Sequence, residues 1–140
     1  MFNKILLAVD GSDHARHAAH KAADLARALK PTELRIVAAY SPIPTYLGEP
    51  NLQIMLDSFR REAKRVMDKS LIEVGEVPCE VHTEILEGDA AEAILNVANT
   101  RKSDLIVMGS RGHGGLTGLL VGSTSQKVVA HANCPVLIVR

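Results

Sequence analysis

The sequence has little of what marks secreted, membrane-inserted or nucleic-acid-binding chains. Its two cysteines, Cys79 and Cys134, form no CxxC pair, which argues against a disulfide framework and favours a reducing compartment. Acidic and basic residues balance at 16 each, so the basic surplus of an extended nucleic-acid interface is missing. The first apolar run, residues 5–9, is too short for a signal peptide or a membrane span. We therefore expect a cytoplasmic protein without nucleic-acid or membrane partners.

Hydrophobic content and length favour a single folded unit. Hydrophobic residues make up 46% of the 140 residues, which excludes a disordered chain and allows a sizeable core without disulfides or metal. No internal repeat, low-complexity tract or linker divides the sequence. We therefore predict one domain over residues 1–140.

Five short apolar segments predict β-strands. Residues 5–9, 105–108 and 136–139 are apolar throughout, which is typical of strands covered on both faces of a parallel sheet. Residues 34–39 are similar, although they include an arginine. In residues 81–86, apolar positions alternate with His82 and Glu84. This alternation indicates a half-exposed edge strand with those two side chains turned outward.

Helical periodicity and capping residues predict helices between the strands. The first begins at a Ser12 or Asp13 cap and runs to about Leu29, before Pro31. The second is marked by apolar residues at helical spacing within residues 52–74. The inner face of the first helix is predicted to contain Ala15, Ala18, Ala22, Leu25, Ala26 and Leu29.

Two capping boxes predict the starts of the remaining helices. Asp89 with Glu92 would open the third helix, and Ser123 with Gln126 would open the fourth, which ends before Pro135. Strands and helices then alternate along the whole chain. This alternation predicts an α/β fold with a parallel, doubly wound sheet and right-handed crossovers.

Ligands of open parallel sheets bind beyond the carboxyl ends of the strands, where the strand order reverses. Asp10 follows the first strand, residues 39–41 follow the second, and Gly109 follows the fourth. The first and fourth strands are the most apolar of these, so we expect them to be central neighbours with a binding crevice between their ends. The alternative for Asp10 is that its carboxylate only caps the first helix or holds a turn.

The segment after the fourth strand, residues 109–125, is rich in glycine. Glycines let backbone amides approach a ligand, and consecutive amides form anion-binding concavities. The segment runs into a helix N terminus, which favours phosphate. Hydroxyls of residues 123–125 and the cations Arg111 and Lys127 would add contacts. The alternative is a flexible connection in which Ser123 serves only as a cap.

Other nucleotide motifs and catalytic groups have weaker support. The sequence contains no Walker A motif, and no GxGxxG follows the first strand. Ser110 could form a hydrolase triad with His113 and Asp10, but the GxSxG nucleophile elbow is missing. A three-residue spacing turns by about 60° per step around a helix. That drift favours a solvated face over a metal site for His14, His17 and His20.

Three segments of the sequence resemble the universal stress proteins. Gly109-x-x-Gly112, followed after nine residues by Gly122-Ser123, matches the ATP-binding signature of that family. Residues 6–12 and 131–139 resemble its opening and its ending, so the resemblance covers essentially the whole chain. It implies a flavodoxin-like sheet of five parallel strands in the order 3-2-1-4-5, with helices on both faces. Because the glycines are complete, it also implies the branch of the family that binds ATP.

The resemblance further implies which residues contact the nucleotide. The adenosine would meet Asp10 and the backbone of Ala8, Val9 and Ala39. The ribose and the first phosphates would be lined by Met108, Gly109, Arg111, Gly112 and His113. The outer phosphates would be held by Gly122, Ser123, Thr124 and Ser125. Thr124 departs from the aliphatic residue that many members carry.

From these residues we predict binding of ATP with Mg²⁺ or Mn²⁺ bridging the phosphates, with ADP and cyclic AMP as alternatives. The expected function is a regulatory or stress-response binding module with little or no turnover. His113 is the one nearby candidate for a general base. A slow ATPase, or a hydrolase using Ser110 and the 109–125 segment, is the alternative function.

The implied strand order also predicts a homodimer, which is common in the family. Its edges would be the third and fifth strands, and the fifth is uniformly apolar: Val136, Leu137, Ile138 and Val139. An unprotected hydrophobic edge invites pairing. A second copy could cover it by two-fold antiparallel pairing of the fifth strands. The alternative is a monomer whose fourth helix and nearby loops shield this edge.

Overall fold

The structure is a computed structural model that describes residues 2–42, 44–111 and 121–140. Among these residues, no helix has both the length and the apolar character needed to cross a bilayer. The strands are β1 (Lys4–Ala8), β2 (Glu33–Tyr40), β3 (Glu80–Glu87), β4 (Leu105–Gly109) and β5 (Val136–Val139). The helices are α1 (Asp13–Leu29), α2 (Asn51–Val74), α3 (Ala90–Thr100) and α4 (Ser123–His131), with a 3-10 turn at Thr45–Leu47.

The five strands form one parallel sheet in the order β3-β2-β1-β4-β5. This confirms the doubly wound, flavodoxin-like α/β fold and the central position of β1 and β4. The strand order reverses between these two strands, because the chain moves outward through β2 and β3 on one side and through β4 and β5 on the other. Their carboxyl ends therefore border the crevice predicted from the sequence.

Side chains of alternate residues in the central strands pack into two hydrophobic cores, one on each face of the sheet. Leu7, Ile36 and Val107 pack with α1 and α2 on the first face. The second core, on the opposite face, joins Leu6 and Ile106 to residues of α3 and α4. Cys79 and Cys134 border these cores as free thiols, and burial raises the pKa of both.

Helix α1 packs on the sheet through a face made of alanine. The four predicted alanines are buried and Leu25 is half-buried against the same core, but the prediction is wrong for Leu29, which is 36% exposed. Ala19 and Ala23 are buried as well. The part of the helix that faces the sheet is therefore made of methyl groups, with Leu25 at its margin. The buried face contains Ala15, Ala18, Ala19, Ala22, Ala23 and Ala26.

Two of the predicted helix caps are confirmed. The Ser12 hydroxyl accepts a hydrogen bond from the Ala15 amide at 3.1 Å, which caps α1. The Asp89 carboxylate accepts one from the Glu92 amide at 3.0 Å, which caps α3. Each cap satisfies a backbone N–H that has no partner inside the helix.

The predicted cap of α4 is wrong. Its N-cap is Gly122, which has extended backbone angles, and Ser123 is already the first helical residue. The Gln126 side chain donates to the Val121 carbonyl at 3.0 Å instead of completing a capping box. The helix starts one residue earlier than a Ser123 cap requires, so its first amides receive no side-chain cap.

Glu84 of β3 does not turn outward as predicted. Its carboxylate lies 3.1 Å from the guanidinium of Arg35 on the neighbouring strand, and its side chain is only 22% exposed. Glu33 holds the same guanidinium at 3.0 Å. Arg35 is buried within the sheet and needs carboxylate partners there, which explains why an edge-strand glutamate packs inward.

We expect Asp89→Ala to lower the free energy of unfolding by about 1 kcal/mol at pH 7, the usual value of an N-cap. The hydrogen bond from the Glu92 amide, with help from Lys127, lowers the pKa of Asp89 in the folded protein. This stabilisation is therefore present above the pKa of the unfolded carboxyl, about 3.9, and is lost as the pH falls through the lower folded value. Urea unfolding at pH 7 and pH 3 checks it. If the free energy of unfolding of the variant stays below that of the wild type by the same amount at pH 3 as at pH 7, the assignment is contradicted.

Candidate functional site

A cavity opens where β1 and β4 end, at the carboxyl edge of the sheet. Many of the residues predicted for the site line it: Ala8, Val9, Asp10, Ala39, Met108, Gly109, Arg111, Thr124 and Ser125. Gly122 lies at the base of the adjoining segment, and Ser123 is exposed outside the lining. Gly112 and His113 lie outside the described residues. The lining also includes Ser12, Ala15, Val37, Ala90 and Ile94, which the sequence analysis did not assign to it.

The two sides of this cavity differ in chemistry. On the β2 side, Val37 and Ala39 offer small apolar surfaces, and Ile94 of α3 adds another. On the β4 side, the lining contains Arg111 and hydroxyls from the first turn of α4. Such a cavity suits a ligand with a flat apolar part and an anionic part.

Asp10 sits between these sides, at the end of β1. It is exposed, and its Oδ1 accepts a hydrogen bond from the Ser12 amide at 2.9 Å. Gly11 between them has φ 84°, a left-handed conformation that favours glycine. The carboxylate therefore holds the turn into α1, which is the structural alternative raised for it. Its Oδ2 accepts no hydrogen bond from residues 2–42, 44–111 and 121–140, and the residue lines the cavity.

The two ends of the glycine-rich segment are tied together at the carboxyl end of β4. The Gly122 amide donates to the Ser110 carbonyl at 2.6 Å. The Ser125 hydroxyl donates to the Gly109 carbonyl at 2.8 Å. From α1, the Ser12 hydroxyl donates to the Arg111 carbonyl at 3.4 Å. These bonds fix the residues that flank positions 112–120.

Gly109 is required here for a structural reason that the sequence analysis missed. A Cβ at this position would lie 2.8 Å from backbone and side-chain carbons of His14 and 2.9 Å from the Ala15 amide nitrogen. The first turn of α1 therefore lies directly against the end of β4. Gly122 is less constrained, since a Cβ there would be 3.4 Å from its nearest neighbours.

The two predicted cations differ in their partners. Lys127 is not available as predicted, because its ammonium lies 3.4 Å from Asp89 and 3.6 Å from Glu92. Arg111 lines the cavity, and within the part of the chain that the structure describes it forms no ion pair. A positive charge without a carboxylate partner is thus placed at the polar side of the cavity.

The three histidines of α1 have three separate partners. His14 Nδ1 lies 2.6 Å from the Ser110 hydroxyl, His17 Nδ1 lies 3.0 Å from the Arg140 carbonyl, and His20 pairs with Glu73. The described residues contain no group of three or more His, Cys, Asp or Glu side chains that could hold a metal.

Ser110 is poorly placed to act as a nucleophile. Its side chain is buried, with the residue only 1% exposed, which leaves little room for a substrate to reach the hydroxyl. The predicted partner His113 lies outside the described residues. The contact with His14 joins positions 96 apart in the sequence, so no local spacing could have indicated it.

Comparison with known proteins identifies the family. The profile described as "Universal stress protein family" matches residues 1–140. The chain belongs to the universal stress protein family. A universal stress protein from Thermus aquaticus is 49% identical over 140 residues, which is 100% of both chains. The solved structure of universal stress protein UspA from Lactobacillus plantarum has a TM-score of 0.88 at 30% identity and covers 99% of this chain and 98% of its own.

Two more distant structures share the fold and contain ligands. A universal stress protein from Archaeoglobus fulgidus in complex with dAMP has a TM-score of 0.66 at 20% identity, covering 100% of this chain and 98% of its own. Another, in complex with cAMP, has a TM-score of 0.66 at 23% identity and covers 99% and 97%. At these identities the likeness to our chain concerns the fold alone.

Proposed function

We propose that this universal stress protein binds an adenine nucleotide in the cavity between β1 and β4, with ATP as the preferred ligand, and acts as a regulatory binding module. The observation that carries the proposal is the polar side of the cavity. There the N terminus of α4, which has no side-chain cap, and the guanidinium of Arg111, which forms no ion pair with the described residues, border the same space. Free helical amides and a cation together favour a phosphate group.

Each side of the cavity would take one part of the nucleotide. The adenosine would lie against Ala8, Val9 and Ala39, with the free Oδ2 of Asp10 accepting a hydrogen bond. Met108, Gly109 and Arg111 would line the ribose and first phosphates, together with Gly112 and His113, which lie outside the described residues. The outer phosphates would meet Gly122, Ser123, Thr124 and Ser125. Complexes of the same fold with dAMP and cAMP support the adenine part of this proposal, and ADP and cyclic AMP remain the alternative ligands.

The described lining offers too few oxygen ligands to hold a divalent cation by itself, so it fits such an ion only when the ion is also bound to phosphate. It offers the Asp10 carboxylate and the hydroxyls of Thr124 and Ser125. Mg²⁺ and Mn²⁺ prefer oxygen ligands, and in nucleotide sites Mg²⁺ takes most of them from phosphates and water. ATP would therefore bring its cation with it, and the ion would neutralise phosphate charge.

A binding module is favoured over an enzyme because Ser110 is buried, with only 1% of the residue exposed to a substrate. A steady-state turnover assay with purified protein separates the two functions. Sustained ATP hydrolysis that is abolished by Ser110→Ala or His113→Ala would replace the binding-module proposal with the ATPase alternative. A cytoplasmic location also stays a prediction, consistent with two free thiols.

We expect Gly122→Val to abolish ATP binding while the fold persists. The backbone angle φ −72° of Gly122 suits any residue. The branched γ-carbons would crowd the Ser110 carbonyl and Arg111, which lie 3.4 Å from an ideal Cβ. Calorimetric titration with Mg-ATP measures the loss, and far-UV circular dichroism checks the fold. Gly122→Ala is the size control, because its methyl would lie 3.4 Å from the nearest atoms, at the limit of ordinary van der Waals contact. Unchanged affinity in Gly122→Val would remove the phosphate assignment.

A homodimer through β5 is a further part of the proposal. Among residues 2–42, 44–111 and 121–140, β5 pairs with β4 alone, so no described strand pairs with its other edge. The carbonyls of Pro135 and Val139 accept bonds from β4-side amides, so the alternate residues Val136 and Ile138 turn their backbone groups to the open edge.

We expect Ile138→Pro to convert the dimer to monomer, because proline removes an N–H from the open edge and leaves the bonds to β4 in place. Light scattering at micromolar concentration measures the mass, and circular dichroism confirms folding. A wild-type protein that is monomeric under these conditions would contradict the dimer.

A further inference from the structure

Ser110 directly follows one element and is hydrogen-bonded at or next to three others, at the edge of the cavity. Its amide donates to the Val139 carbonyl of β5 at 2.7 Å, and its carbonyl accepts from the Gly122 amide before α4 at 2.6 Å. It directly follows β4, and its hydroxyl is bonded to His14 in the first turn of α1. The backbone bonds are available to any residue at this position. The bond to His14 alone depends on the side chain.

The His14 contact is short and shielded from water. The 2.6 Å between His14 Nδ1 and Ser110 Oγ is at the short end of ordinary hydrogen bonds. Ser110 is 1% exposed, so its hydroxyl has no access to solvent as a substitute partner. A buried hydroxyl that loses its partner carries the full cost of its lost solvation.

We propose that His14 is a positioning residue of the nucleotide site, which holds Ser110 and thereby the start of the glycine-rich segment where the phosphates bind. The inference rests on the proposed function and deepens it. His14 does not line the cavity itself. It acts through Ser110, whose carbonyl receives the Gly122 amide and whose next neighbour, Arg111, lines the polar side.

This position predicts a selective effect on the phosphate part of the ligand. The residues fixed by the contact, Ser110 and Arg111, belong to the β4 side, where phosphate is proposed to bind. The apolar surfaces of Val37 and Ala39 belong to β2, on the far side of β1. Losing the contact would therefore weaken ATP binding more than adenosine binding, because adenosine shares only the ribose contacts of the β4 side. A residue that only stabilised the fold would weaken both equally or neither.

The test compares Mg-ATP and adenosine by calorimetric titration on the full chain. We expect His14→Ala and Ser110→Ala each to weaken Mg-ATP about 3- to 10-fold, the range expected for one hydrogen bond, and to weaken adenosine by a smaller factor. The double variant should be no weaker than either single one, because both remove the same contact. His14→Asn should restore most of the affinity, because its amide can reach the position of Nδ1. His20→Ala is the matched control, since it removes another histidine contact of α1, that to Glu73, without touching Ser110.

The outcomes separate this inference from the function on which it rests. A wild-type protein that binds neither ligand overturns the proposed function and the inference with it. Normal wild-type binding with His14→Ala and Ser110→Ala unchanged overturns the positioning role only. Equal losses of ATP and adenosine affinity in these variants also overturn it, because they indicate a general structural role. If His14→Ala does not fold, Ser110→Ala carries the same comparison, with His14→Asn as the variant expected to keep the affinity.

Discussion

Gly109→Ala is expected to lower the free energy of unfolding by about 3 kcal/mol, at the upper end of the usual cost of overpacking. The added methyl would lie 2.8 Å from two carbons of His14, one of them in the backbone. A flexible side chain could turn away from such a contact, but a helix backbone can only move as a unit. Helix α1 would therefore have to shift away from the end of β4.

Urea unfolding followed by circular dichroism measures this loss. Gly122→Ala is the matched control in the same segment, because its methyl would be 3.4 Å from the nearest atoms, and we expect it to cost less than about 1 kcal/mol. The same shift of α1 would disturb the His14–Ser110 contact, so Gly109→Ala should also lose ATP affinity. Equal stability of the two alanine variants would show that the close approach of α1 is not rigid.

Arg35→Met is expected to lower the free energy of unfolding by about 3 kcal/mol. The Arg35 side chain is 10% exposed, and it holds Glu33 at 3.0 Å and Glu84 at 3.1 Å. Without the guanidinium, two poorly solvated carboxylates would face each other across β2 and β3. Arg101, at 3.4 Å from Glu84 and 50% exposed, would offset only part of this cost.

Chemical denaturation of three variants tests this assignment. Arg101→Met should cost less than about 1 kcal/mol, as exposed ion pairs usually do. The double variant Arg35→Met with Glu84→Met should recover part of the loss, because removing a buried charge pair together is far less costly than removing one member. A double variant that is less stable than Arg35→Met would contradict the account.

The fold could be predicted because its determinants are local and periodic. Short apolar runs alternate with helical segments, and this alternation leaves few arrangements other than a parallel, doubly wound sheet. The place of the cavity followed from the same topology, since Asp10 lies just after β1 and Gly109 ends β4. The strand order itself came from the resemblance to the family.

The features that could not be predicted depend on contacts between distant positions. The Arg35–Glu84 pair, the His14–Ser110 contact and the close approach of α1 to Gly109 all cross between elements. A pattern of residue types shows which side chains are apolar but not which ones meet. The start of α4 was missed by one residue for another reason: Ser123 is a good cap by composition, but Gly122 has the extended backbone that a cap needs.

The alanine face of α1 also determines what keeps the helix from sliding. Interlocking leucine and isoleucine ridges normally resist translation of one packed element along another, and a row of methyl groups offers little resistance of that kind. The axial position of α1 must then depend on directional bonds at its margins: Ser12 to the Arg111 carbonyl, His17 to the Arg140 carbonyl, and Arg27 to the Val74 and Glu76 carbonyls. Sliding of packed helices by small amounts is a common form of protein motion. In this chain its extent is limited by a few polar contacts, several of them with residues at the carboxyl edge of the sheet.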